Sequence, residues 1–244
     1  MSGQSLEERA RIAALGSAIG PDSLAGAQAI YDEEQRVIAS AMPATATDIA
    51  YGDHPRQRLD LYAAQGSSAL APIFVWVHGG GFLRGDKGDA ERWPNAHAGR
   101  FAARAGFLGV VINYRLAPDF QWPAGGEDVG YVVDWLRDHA TEFGGDPDRI
   151  VLAGTSAGAA HVATHIQLRP DTPARGAVLL SGPYGVVPYD DVRDISYYGE
   201  DDSRLPRSYI GNGHNHFSFA YHLGTSDTRL GNEIISFVNE VTRR

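Results

Sequence analysis

The sequence has no cysteine in its 244 residues. Disulfides, zinc-thiolate sites, iron–sulfur clusters and a cysteine nucleophile are therefore excluded. Long hydrophobic runs are missing too. The stretch AlaProIlePheValTrpVal at 71–77 is among the longest, and it is far too short to cross a bilayer. Glu7, Glu8 and Arg9 interrupt the opening before an export signal could develop its apolar region. The expectation is a soluble, cytoplasmic protein without a membrane partner. Positive charge is also scarce: 21 Lys and Arg stand against 30 Asp and Glu, for a formal charge of -9. That balance argues against nucleic acid or an anionic membrane as the main partner.

The remainder is ordinary globular composition. Hydrophobic residues make up 43% and charged residues 21%, which rules out disorder, collagen and coiled coil as the main architecture. The length suits one large domain rather than two. Leu6, Ala10, Ala13 and Ala14 recur at roughly helical spacing, then Gly16 and Gly20-Pro21 punctuate. A second helix is expected from Ser23 to Ser40. Residues 48–63 suggest two short strands around GlyAspHisPro (52–55), with Leu59, Leu61 and Ala63 alternating with Asp60 and Tyr62.

From residue 73 the character changes. The runs 73–77, 108–113, 150–153 and 177–180 are almost continuously apolar. Strands buried on both faces read this way, so a parallel sheet with helices on each side is expected. Residues 97–105 read as a helix stopped by Gly106. Residues 127–139 carry Val129, Val132, Val133 and Leu136 on one stripe. A last helix over 229–242 would bury Ile234, Phe237, Val238 and Val241, with Asp227 as its cap.

Two glycine motifs carry chemistry. GlyThrSerAlaGly (154–158) directly follows a strand-like run, and 159–168 then reads as a helix. A serine raised above a sheet needs a very tight turn, and Gly154 and Gly158 remove the side chains that would collide there. Ser156 is the candidate nucleophile. HisGlyGlyGlyPhe (78–82) follows the run 73–77. Acyl transfer places negative charge on a carbonyl oxygen, which requires N–H donors fixed beforehand. The amides of Gly80, Gly81 and Ala157 are the candidates for that oxyanion hole. His78 is read as structural, holding the loop by a hydrogen bond, with a general-base role as its rival. Phosphate cradling is disfavoured by the missing Walker lysine and the missing GxGxxG with its acidic partner.

The base must come from nine histidines. The order nucleophile, last strand, base selects the segment ArgSerTyrIleGlyAsnGlyHisAsnHisPhe (207–217), with SerTyrIle as a short final strand. His216 is preferred, with His214 and then His222 behind it. His161 and His165 lie on the helix after Ser156, face away from its open side, and are read as packing or surface residues. Phe82, Trp93, Phe120 and Trp122 could line a pocket, but ordinary packing is the stronger reading for each.

Together these segments resemble the α/β-hydrolase family. More narrowly, they are similar to the HGGG-type, hormone-sensitive-lipase-like carboxylesterases and the kynurenine formamidase relatives. The matching pieces are HisGlyGlyGlyPhe (78–82), AsnTyrArgLeuAlaPro (113–118), GlyGlyAspProAspArgIle (144–150), GlyThrSerAlaGly (154–158) and GlyHisAsnHisPheSer (213–218). They occur in family order across about 48–242. The resemblance implies a mostly parallel central sheet flanked by helices. It implies hydrolysis of short acyl esters, or of formamides and amides, with no cofactor and no metal. Ser156 would be the nucleophile, His216 the base, and Gly80, Gly81 and Ala157 the oxyanion donors. Residues 1–40 would then be an N-terminal helical segment, either docked helices or a small cap, and 41–244 the catalytic domain. A hydrolase-like binding or scaffold protein is the alternative from a different class.

One departure stands out. Between Ser181 and His216 the family carries a further strand, an acidic residue and a helix. Here only 34 residues intervene, with little apolar content. A late βα unit therefore reads as deleted, since such a unit needs roughly 25 residues or more. Asp190, Asp191, Asp194, Asp201 and Asp202 compete to orient the histidine. An open sheet edge left by the deletion would favour a homodimer.

Overall fold

A computed structural model describes residues 4–66, 69–183 and 214–243. Two helices come first, α1 (Leu6–Ala14) and α2 (Pro21–Ala41). Ser5 caps α1 with a full capping box: its hydroxyl accepts from the Glu8 N–H while the Glu8 carboxylate accepts from the Ser5 N–H. Pro21 opens α2, where its missing N–H costs nothing.

The sheet follows as β1 (Ala46–Ala50), β2 (Arg58–Tyr62), β3 (Ala71–Val77), β4 (Leu108–Ile112), β5 (Gly145–Thr155) and β6 (Gly176–Leu180). Its six described strands lie in the order β1-β2-β4-β3-β5-β6. The strands β4, β3, β5 and β6 run parallel, and β1 and β2 are added antiparallel at one side. The helices α3 (Ala96–Arg104), α4 (Ala124–His139), α5 (Ala157–Leu168), α6 (Ser218–Tyr221) and α7 (Arg229–Val241), with a 3-10 turn at Ala140–Phe143 after α4, complete the described elements.

The central strand β3 explains the layering. Ile73, Val75 and Val77 pack with Val129, Val132 and Leu136 of α4 and Val162 of α5. The alternate residues Phe74 and Trp76 pack with Phe101 and Ala102 of α3 and with Ile234 and Val238 of α7. A strand covered on both faces has no polar side to show, hence its unbroken apolar run. Each such aliphatic side chain contributes roughly 1.5–3 kcal/mol by leaving water.

Several expectations shift in detail. β5 begins at Gly145, earlier than 150, because Gly145 already pairs with Ala71 before a register irregularity. β6 is half-buried over Gly176–Leu179 rather than fully covered, since β5 is its one partner among the described residues. α7 has Thr228 at its N-cap position, without a side-chain capping hydrogen bond. Asp227 instead accepts from the Arg229 N–H at 3.3 Å and grips the Arg229 side chain. The expected late deletion, the SerTyrIle strand and the exposed sheet edge concern residues outside those described.

Polar bracing is concentrated beside the sheet. Lys87, the sole lysine of the sequence, is 5% exposed and reaches Asp60 at 2.8 Å and Asp48 at 3.0 Å. Asp128 on α4 is fully buried and accepts from the Arg115 N–H at 2.7 Å, Arg115 Nε at 2.9 Å and Gln57 Nε2 at 2.8 Å. These bonds join the turn before β2, the loop after β4 and α4.

Candidate active site

The site lies at the carboxyl ends of β3 and β5, where ligands bind in open α/β sheets. β5 ends at Thr155, and Ser156 takes φ 53° and ψ -124° before α5 begins at Ala157. A non-glycine residue at positive φ is strained, and its neighbours hold it there. The Ser156 N–H donates to the Leu180 carbonyl at 2.8 Å. A side chain at Gly154 would meet the Gly158 backbone at 2.6 Å, and one at Gly158 would meet the Val77 carbonyl oxygen at 2.1 Å. Only glycine lets the turn close on β3 in this way.

The histidine arrives from the other end of the chain. His216 Nε2 lies 3.0 Å from Ser156 Oγ. The segment around it is organised by Asn215, whose side-chain oxygen accepts from the N–H groups of Phe217 and Ser218 at 3.1 and 2.9 Å. Ser218 Oγ accepts from the Asn215 N–H at 2.9 Å in return. Sequence reading ranked His216 above His214 and His222, and among these three it is His216 that stands at the serine. His214 stacks on His222, with ring centroids 4.3 Å apart. Asp190, Asp191, Asp194, Asp201 and Asp202 all lie outside the described residues.

The loop after β3 is rigid by construction. His78 is fully buried, and its Nδ1–H donates to the Gly79 carbonyl at 2.6 Å. Its ring stacks on Tyr114 at 4.3 Å, and the Tyr114 hydroxyl donates to the His78 carbonyl at 2.9 Å. Burial pushes the His78 pKa down to about 4, so the ring is neutral at pH 7. Asn113 donates to Asp86 at 3.0 Å and accepts from the Lys87 N–H at 2.7 Å. Asn113 and Tyr114 of the AsnTyrArg motif thus brace the glycine loop. Gly80 has φ 138°, and a side chain there would strike the Arg84 carbonyl oxygen at 1.9 Å. The amides of Gly80, Gly81 and Ala157 have no acceptor among the described residues. Ala157 heads α5, where the first N–H groups of a helix are free to meet an anion.

A cavity of about 500 Å³ is lined by Ser156 and His216 together with Gly79, Gly80 and Gly81. Leu24, Gln28 and Asp32 of α2 line it as well. The Trp93 indole N–H donates to Asp32 at 2.8 Å. Gln35 of α2 donates to the carbonyls of Tyr221 and Leu223 at 3.1 and 3.0 Å, beside the His216 segment. Trp93 is 2% exposed and packs with Ala27, Tyr31 and Tyr221, in line with the packing reading, while also bordering the cavity. Phe82 is 1% exposed and packs on Ala157 and Ala160. Phe120 packs edge-on to His54, and Trp122 is 43% exposed. His161 and His165 are buried packing residues, as expected. The sequence offers the N-terminal segment as docked helices or a small cap; which α2 residues border the pocket is visible only in the structure. No described helix is long and apolar enough to cross a membrane.

Comparison with known proteins points the same way. A family model described as BD-FAE matches residues 59–172. The chain is 35% identical over 154 residues to phenmedipham hydrolase of Pseudarthrobacter oxydans, covering 57% of this chain and 30% of that protein. It is 40% identical over 100 residues to carboxylesterase NlhH of Mycobacterium tuberculosis, covering 41% of this chain and 30% of that one. It spans about a third or less of the length of these curated relatives. A solved Pyrobaculum calidifontis esterase superimposes with TM-score 0.67 at 18% identity, over 97% of this chain and 98% of that one. The chain has the α/β-hydrolase fold and is related to several families of esterases built on it.

Proposed function

We propose that the protein is a serine hydrolase that cleaves small acyl esters through a covalent acyl-enzyme. The observation that carries this reading is the 3.0 Å approach of His216 Nε2 to Ser156 Oγ in the lining of a cavity of about 500 Å³. His216 takes the proton of Ser156 as its oxygen attacks the substrate carbonyl. The amides of Gly80, Gly81 and Ala157 receive the oxyanion, aided by the positive end of α5. His216 then hands its proton to the departing alcohol. Water attacks the acyl-enzyme by the same route in reverse and releases the acid. The N-terminal segment 1–40 acts as a cap, since Leu24, Gln28 and Asp32 of α2 line the same cavity as Ser156. The likeness to carboxylesterases such as NlhH makes an ester the first substrate to test, with a formamide or amide as the alternative.

The test is hydrolysis of an activated short-chain aryl ester, with Ser156→Ala and His216→Ala beside the wild type. Each substitution is expected to remove at least about 10³ of the rate. Equal turnover by wild type and Ser156→Ala would end the proposal. Aryl acetates set against formylated arylamines separate esterase from formamidase.

A further inference from the structure

Three side chains beside the His216 segment are unused by this chemistry: His214, His222 and Asp227. Each offers one ligand atom, and the three atoms lie within 4.8 Å of one another. His222 and Asp227 are 1% and 2% exposed, and the side chain of His214 is 6% exposed. His214 Nε2 stands 3.8 Å from Asp227 Oδ2, too long for a hydrogen bond. So the carboxylate and the imidazole face each other without bonding.

A second observation concerns orientation. The His222 Nδ1–H donates to the Ser218 carbonyl at 3.0 Å. That fixes the tautomer with the lone pair on Nε2, which has no hydrogen-bond partner among the described residues. A ligating histidine is normally held by its other nitrogen in this manner. Burial keeps both imidazoles below their ordinary pKa, so they are neutral at pH 7, the form that binds metal. Asp227 accepts from Arg229 at 3.0 and 2.8 Å. A carboxylate offers about four lone-pair positions; Oδ1 also accepts from the Arg229 N–H at 3.3 Å, so Oδ2, the oxygen that faces His214, is the one that keeps a position free. Gln4 donates toward the His214 ring at 3.2 Å.

We propose that His214, His222 and Asp227 form a binding site for a borderline divalent cation of the Zn²⁺ type. Two imidazoles and a carboxylate suit Zn²⁺, Co²⁺ or Ni²⁺ and disfavour Mg²⁺ and Ca²⁺. Ligand atoms around a tetrahedral ion with bonds near 2.0–2.1 Å stand about 3.3 Å apart. The cluster therefore has to draw in from its present spacing, chiefly by turning His214 off its stack on His222. The ion takes no part in the chemistry at Ser156. It ties the residue two positions before His216 to the residue after α6 and to the start of α7, and so brackets the catalytic histidine's segment.

The experiment titrates the full chain with Zn²⁺ against a chromophoric chelator, and with Co²⁺ followed by its visible spectrum. The wild type is expected to bind one equivalent, with a tetrahedral Co²⁺ band and a higher Tm. His222→Phe keeps a ring against His214 but removes the nitrogen, and it should weaken binding at least tenfold. His139→Ala, at an exposed His139–Glu142 pair, should leave binding unchanged and serves as the surface control. No stoichiometric binding by the wild type, or equal binding by His222→Phe, overturns the proposal. Should His222→Phe not fold, imidazole NMR of the wild type decides. Zn²⁺ must shift two buried histidines together, and failure to do so refutes the site.

Discussion

Replacing Gly80 with alanine tests the catalytic reading at its least forgiving point. The new Cβ would sit 1.9 Å from the Arg84 carbonyl oxygen and 2.6 Å from its carbon. Carbon–oxygen contacts settle near 3.3 Å, so the loop has to open by roughly 1.4 Å. The residue also holds φ 138°, which alanine resists. His78, Tyr114 and Asn113 brace the loop, so it has little room to yield elsewhere. If the Gly80 amide receives the oxyanion, moving it this far forfeits one donor. That costs about 10²–10³ in kcat, or about 2.7–4 kcal/mol of transition-state stabilisation. The assay is kcat and KM on an activated short-chain ester, with Tm measured on the same sample. kcat should collapse while KM changes little. Gly144→Ala is the companion: Gly144 also has positive φ, but nothing lies within 4 Å of its Cβ position. That change should lower stability by about 1 kcal/mol and leave kcat intact. A folded Gly80→Ala enzyme with kcat near wild type would refute the assignment of the loop.

Other expectations follow from the same structure. Asp128→Ala deletes a fully buried carboxylate that accepts from the Arg115 N–H, Arg115 Nε and Gln57, and leaves the half-buried Arg115 with Glu127; it should cost about 1–3 kcal/mol by denaturant unfolding, and no measurable loss would contradict the bracing role. His78 stays neutral down to about pH 4, whereas in the unfolded chain it protonates near 6.5. Its contribution is therefore full above pH 6.5 and is lost as pH falls through that window, by about 3 kcal/mol in total. Unfolding titrations at pH 7.5 and 4.5 should differ less in His78→Gln than in wild type, and an unchanged difference would count against it. Leu24→Trp narrows the cavity from its α2 side. It should lower kcat/KM for longer acyl or alcohol groups and spare acetates; uniform kinetics across chain lengths would remove α2 from the binding wall.

What the sequence by itself determined is local. Strand–turn–helix and strand–loop order can be read from runs such as 73–77 and 150–155, because a strand covered on both faces must be apolar throughout. Gly154, Gly158 and Gly80 announce themselves because a side chain at any of them would occupy space already held by backbone. The order of the motifs narrowed nine histidines to a segment, and its preference for His216 agrees with the 3.0 Å contact. Tertiary structure alone decided the rest. That Tyr114 and Asn113 brace the glycine loop depends on β4 lying beside β3, which no spacing records. That α2 lines the cavity, with Asp32 accepting from Trp93, depends on contacts some sixty residues apart in sequence. The meeting of His214, His222 and Asp227 is of the same kind. Side-chain periodicity reports which face of an element is apolar, but the partner of a polar group is set only when distant elements dock.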